Sequence, residues 1–64
     1  MNKNQRIAMA EKDLTVRKLS KILDRTEPHV SNVLGGRFKS PKLRERISLV
    51  LDKDVCHLWP EHEG

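Results

Sequence analysis

The sequence is poor in the residues that build enclosed catalytic sites or cross-linked scaffolds. Aromatics make up 3% of its 64 residues, with one Phe, one Trp and no Tyr. A core of Leu, Ile and Val gathered around Phe38 and Trp59 is therefore expected, without a deep cavity for a small-molecule substrate. Cys56 is the one cysteine, so no intramolecular disulfide can form and the small secreted disulfide frameworks are excluded. A reducing, cytoplasmic setting is the expectation. The basic N-terminal residues lead into no apolar run, and no stretch approaches the roughly 20 apolar residues that span a bilayer, so neither a secretion signal nor a membrane partner is expected. Gly-rich phosphate and dinucleotide loops are lacking too. Cys56, His57 and His62 match no tetrahedral metal set and want a fourth ligand. Adjacent on one turn, Cys56 and His57 do not face each other as nucleophile and base, and Cys56 is read as a small apolar core residue. No enzyme activity, cofactor or metal is expected.

Charge is plentiful by contrast, at 34% of the chain, with 13 Lys plus Arg against 9 Asp plus Glu and a net charge of +4. It is distributed unevenly: residues 1–46 carry 12 basic and 5 acidic side chains (+7), and residues 47–64 carry 1 basic and 4 acidic (−3). The basic part is the candidate working surface and points to an acidic partner.

Turn and cap residues divide the chain into consecutive short helices. Ile7, Ala8 and Ala10 lie among good helix formers and predict a first helix over about 4–12. Thr15 reads as the N-cap of a second helix, with Leu14 and Leu19 as a hydrophobic staple. This second helix is expected to bury Leu19, Ile22 and Leu23 and to expose Arg17, Lys18 and Lys21. Asp24 and Arg25 make a turn. Thr26 then caps a third helix with Glu27 and Pro28 in its first turn and Val30, Val33 and Leu34 as its apolar stripe, closed by Gly35 and Gly36. Arg37 to Lys39 form a basic loop, and Ser40 and Pro41 supply an N-cap and a first helical residue. The fourth helix runs to about Leu51, with Leu43, Ile47, Val50 and Leu51 inward and Lys42, Arg44, Glu45 and Arg46 on other faces. Val55, Leu58 and Trp59 fold a last turn onto the core before Pro60. No segment alternates at period two, so the class is all-α.

The informative stretch is VRKLSKILDRTEPHVSNVLGG, residues 16–36. Two short helices joined by a tight turn need a small side chain at their crossing, which Ser20 supplies, while Leu19, Leu23, Val30 and Val33 fill the angle between them. The outer face of the second of the pair then projects toward a groove about 12 Å wide. This stretch resembles the helix-turn-helix regulators of the Cro and phage-repressor type, and TEPHVSNVLGG (26–36) is similar to the recognition-helix pattern of lac-repressor-like proteins. The Ser40-Pro41 pair, the fourth-helix stripe and the ending Leu58-Trp59-Pro60-Glu61 extend the resemblance to the small Ner-like phage DNA-binding proteins, over nearly the whole chain. Two departures stand out. Asp24 occupies the turn position where such proteins usually carry Gly, and Glu27 puts an anion on the side that would face DNA. Glu27 either accepts from a cytosine amino group or favours the helix N-terminus through the macrodipole.

The resemblance implies one lambda-repressor-like domain over 1–64, a four- or five-helix bundle with its helix-turn-helix at about 15–36. It also implies a sequence-specific double-stranded DNA regulator, most simply a repressor, of the bacterial cytoplasm or nucleoid. Base reading falls to Glu27, Pro28, His29, Ser31 and Asn32, with Asn32 first because its amide can bond bidentately to adenine. Phosphate contacts fall to Thr15, Arg17, Lys18, Thr26, Arg37, Lys39, Ser40 and Lys42, cations and hydroxyls at helix N-termini and in the basic loop. Because one such domain buries only about 600–1,000 Å² of its own surface on DNA, two copies on the operator are expected. A solution homodimer is left open, with Val55, Leu58 and Trp59 as a candidate contact surface. The alternatives are a DNA-bending recombination accessory protein, or a protein-interaction module such as an antirepressor or antitoxin.

Overall fold

Asn2 opens the first helix with a reciprocal pair of hydrogen bonds. Its Oδ1 accepts from the Gln5 amide at 2.8 Å, and Gln5 Oε1 accepts from the Asn2 amide at 3.2 Å, a capping box that starts α1 (Lys3–Glu11). The computed structural model describes residues 1–60 and contains four more helices: α2 (Val16–Leu23), α3 (Glu27–Leu34), α4 (Pro41–Leu51) and α5 (Val55–Leu58). The class is all-α, with no strand among the described residues. None of these helices is long and apolar enough to cross a membrane. The helix spans follow the sequence expectation closely, α1 beginning and ending one residue earlier than the spacing predicts.

The four longer helices all close in the same way. In each, the residue after the last turn takes the left-handed conformation, and the following amide reaches back five residues: Leu14 to Met9, Arg25 to Ser20, Arg37 to Asn32 and Lys53 to Ser48, at 2.8, 2.9, 2.9 and 3.1 Å. The left-handed residues are Asp13 (φ 54°), Asp24 (φ 57°), Gly36 (φ 85°) and Asp52 (φ 57°). Aspartate tolerates this region better than most side chains because its short carboxylate can bond locally. Asp24 thus closes α2 with the same regular turn found at three other helix ends, two of them also at an Asp.

The core draws on every helix: Ala8 and Met9, Leu19 and Leu23, Val30, Val33 and Leu34, Leu43, Ile47 and Leu51, then Leu58 and Trp59. Ser20 is buried at the packing of α2 on α3, where its hydroxyl donates to the Arg17 carbonyl at 2.7 Å. Two buried side chains bond backbone carbonyls across the interior. Gln5 Nε2 donates to the carbonyls of Leu34 and Leu58 at 2.9 and 2.8 Å, and Trp59 Nε1 donates to that of Val33 at 3.0 Å.

Several expectations need correction. Ile22 is 51% exposed, because the small Ser20 draws α3 against one side of α2 and the buried stripe becomes Leu19, Ser20 and Leu23. Phe38 is 46% exposed rather than central, since Trp59 alone fills the aromatic place in the core. Arg44, read as a surface residue, is buried, with its guanidinium 4.9 Å from the Trp59 ring centre and its stem inside the wide stripe of α4. Cys56 is exposed, because the short α5 turns Leu58 inward and Cys56 and His57 out. Leu58 and Trp59 are completely buried and so offer no contact surface to a second copy. Glu61 and His62 lie outside the described residues.

Candidate nucleic-acid interface

Burial along α3 separates two faces. Val30, Val33 and Leu34 point inward, Glu27, Pro28 and Ser31 are exposed, and His29 and Asn32 are half-buried at the margin. With eight residues the helix is about 12 Å long, comparable to the width of a major groove. Thr26 caps it, its hydroxyl accepting from the His29 amide at 3.3 Å. Around this N-terminus Ser20, Lys21, Asp24, Arg25, Thr26 and His29 line a shallow hollow of about 660 Å³. Lys21 and Arg25 therefore stand beside the expected face, although sequence reasoning gave neither a role there.

The other end of α3 is also cationic. The amides of Arg37 and Phe38 both converge on the Asn32 carbonyl, at 2.9 and 3.3 Å, which ties the basic loop directly to the helix. Arg37 and Lys39 are exposed on this loop. Between them the Phe38 ring turns back along α3 and packs against His29, with ring centres 5.4 Å apart and planes tilted by 40°. Phe38, like Lys21 and Arg25, was not placed at this face by the sequence; its position between two cations in a loop was the available signal.

The remaining expected anion contacts occupy two further helix ends. Thr15 caps α2 by accepting from the Lys18 amide at 3.2 Å, Arg17 is exposed, and Lys18 Nζ lies 3.4 Å from the Asp13 carbonyl. Ser40 holds the N-cap position of α4, but its hydroxyl makes no capping bond, contrary to expectation; Lys42 is exposed. With ψ at 97°, the Ser40 backbone turns away from the usual capping geometry. The single ion pair among the described residues joins Lys53 to Glu11 at 3.2 Å, so none of the candidate cations is engaged with a described carboxylate. Nor, among the described residues, do three His, Cys, Asp or Glu side chains stand together as a metal-binding group. No protein family, curated protein or solved structure matches this chain.

Proposed function

We propose that this protein is a sequence-specific double-stranded DNA-binding regulator, acting as a repressor. In this reading residues 15–36 form a helix-turn-helix within a lambda-repressor-like bundle, and α3 enters the major groove. The observation that carries the reading is the environment of α3: a short helix whose inner face is fixed in the core, whose outer face presents Glu27, Pro28 and Ser31 with His29 and Asn32 at its margin, and whose two ends carry exposed cations, Lys21 and Arg25 before it and Arg37 and Lys39 after it. Polyanion binding needs unneutralised cations on a surface that a groove can accept. Asn32 is the proposed base reader, and Glu27, Pro28, His29 and Ser31 share its face. Thr15, Arg17, Lys18, Thr26, Arg37, Lys39, Ser40 and Lys42 hold phosphates, and two copies occupy one operator.

The test begins with selection of bound duplexes from a random pool, followed by titration against salt. If each copy neutralises about 5 phosphates, log K falls with log salt at a slope of about −4 to −5 per copy. On the selected duplex Asn32→Ala should lose roughly 1–3 kcal/mol of discrimination at one base pair while its affinity for unrelated duplexes hardly changes. Circular dichroism serves as the fold control. Val33→Asp, one residue away, should unfold the protein by burying an unpaired carboxylate. A salt slope shallower than about −2, or no duplex binding at low salt, refutes the reading and favours a protein-interaction module.

A further inference from the structure

Phe38 is a large apolar side chain that the fold holds outside the core and among cations, as Ile22 is on α2, but Phe38 alone of the two is shown packed against α3. Its backbone amide is anchored on Asn32, its ring is braced by His29, and its neighbours Arg37 and Lys39 are both exposed. Leu49 is more exposed, at 74%, but it lies by Asp52 and Asp54, which repel a polyanion. Single apolar residues on a surface are commonplace. What distinguishes Phe38 is that two backbone hydrogen bonds and a ring contact hold it against the same α3 face that carries Asn32.

From this placement we infer that Phe38 is a specificity-determining residue that reads thymine, its ring making apolar contact with the C5-methyl group in the major groove. The inference rests on the duplex-binding reading above. The C5-methyl is the apolar group that a base edge presents in the major groove, whereas phosphates and the other base-edge groups are polar. A rigid ring flanked by two cations suits it: the cations hold the adjacent phosphates, and the ring gains only where a methyl is present to be buried. His29 then acts as a positioning residue, backing the ring from the helix side.

Single thymines in the selected duplex are replaced one at a time by deoxyuridine, which removes the methyl and leaves the hydrogen-bonding groups unchanged. The wild-type protein should lose roughly fourfold in affinity per copy at one of these positions, the value of one buried methyl-sized group. Phe38→Ala should lose at least that factor on the thymine duplex and become indifferent to the same replacement. Phe38→Leu, which keeps apolar surface, should retain the thymine preference. The replacements on the wild-type protein require no variant, so indifference to all of them overturns the inference even if Phe38→Ala folds poorly, in which case Phe38→Leu carries the assignment to this residue. The inference is overturned if no replacement matters, or if Phe38→Ala keeps its sensitivity to every replacement. It is also overturned if Phe38→Ala abolishes a protein-induced bend while leaving the methyl preference intact, the behaviour of a wedge between base steps. If a duplex is selected but is indifferent to methyl removal, only this inference fails; if no duplex binds, the DNA-binding reading fails with it.

Discussion

Replacing Gln5 by Leu tests whether the fold is held by two hydrogen bonds that cross its interior. Gln5 is completely buried, and its Nε2 donates both protons, one to the Leu34 carbonyl at 2.9 Å and one to the Leu58 carbonyl at 2.8 Å. The two carbonyls are not equally dependent on it. Leu58 also accepts from Asn2 Nδ2 at 2.8 Å and keeps a partner in the variant, whereas among the described residues only Gln5 reaches the Leu34 carbonyl. Leu is close to Gln in volume, so the cavity term is small and the cost is mainly one orphaned buried carbonyl, about 1–3 kcal/mol, plus the net value of two further lost bonds, to the Leu58 carbonyl and from the Asn2 amide of the capping box, about 1 kcal/mol each. Added apolar burial offsets part of this, leaving a loss of about 2–3 kcal/mol. For a domain of this size that is a large share of a total near 3–10 kcal/mol, and Tm should fall by roughly 10–20 °C. Thermal and urea unfolding followed by circular dichroism measure it. Gln5→Glu should be worse still, because a carboxylate would face both carbonyls and could donate to them only after taking up a proton. A Gln5→Leu protein melting within about 4 °C of the parent would refute the reasoning, since the Leu34 carbonyl would then have no need of the amide.

Two further predictions concern stability. Trp59→Ala should cost about 3–5 kcal/mol, because it empties the largest buried side chain and removes the plane against which Arg44 lies; an unchanged melting temperature would show that Trp59 does not pack in the core in solution. Asp24→Gly should raise Tm by a few degrees and Asp24→Val should lower stability by about 1–2 kcal/mol, since φ there is 57° and a β-branched side chain is strained in that region. Equal melting temperatures for the two Asp24 variants would show that the turn relaxes out of the left-handed conformation.

The helices were legible in the sequence because their ends are marked locally. Thr15 and Thr26 cap, the Gly35-Gly36 pair closes α3, and Ser40-Pro41 opens α4; each signal operates within a few residues of the boundary it sets. The capping box formed by Asn2 and Gln5 was equally local and went unread. Which face each helix buries was less legible, because helical spacing sets which residues share a face and leaves open where the neighbour sits. Ile22 satisfies the same periodic rule as Leu19 and Leu23, yet the approach of α3 beside Ser20 leaves it in solvent. Burial of Gln5 depends on carbonyls 29 and 53 residues away, and burial of Arg44 on the Trp59 ring, neither of which any window of sequence contains. Phe38 is the reverse case: apolarity alone assigns it to the core, but Trp59 fills that place and the loop bonded to the Asn32 carbonyl carries Phe38 outside.

The same long-range contacts explain how α3 can be both fixed and free. Its last turn is tied from both ends of the described chain, with Gln5 of α1 on the Leu34 carbonyl and Trp59 after α5 on the Val33 carbonyl. Both bonds fall on backbone atoms, so they do not depend on which side chains α3 carries outward. Val30, Val33 and Leu34 supply the apolar contact, while Glu27, Pro28 and Ser31 lie exposed. Substitutions on the outer face should therefore cost little stability, typically within about 0.5 kcal/mol for surface positions remote from caps and buried bonds. A helix held in this way can exchange the residues proposed to read DNA without renegotiating the fold, which is the physical condition for a small bundle to change its target sequence while keeping its scaffold.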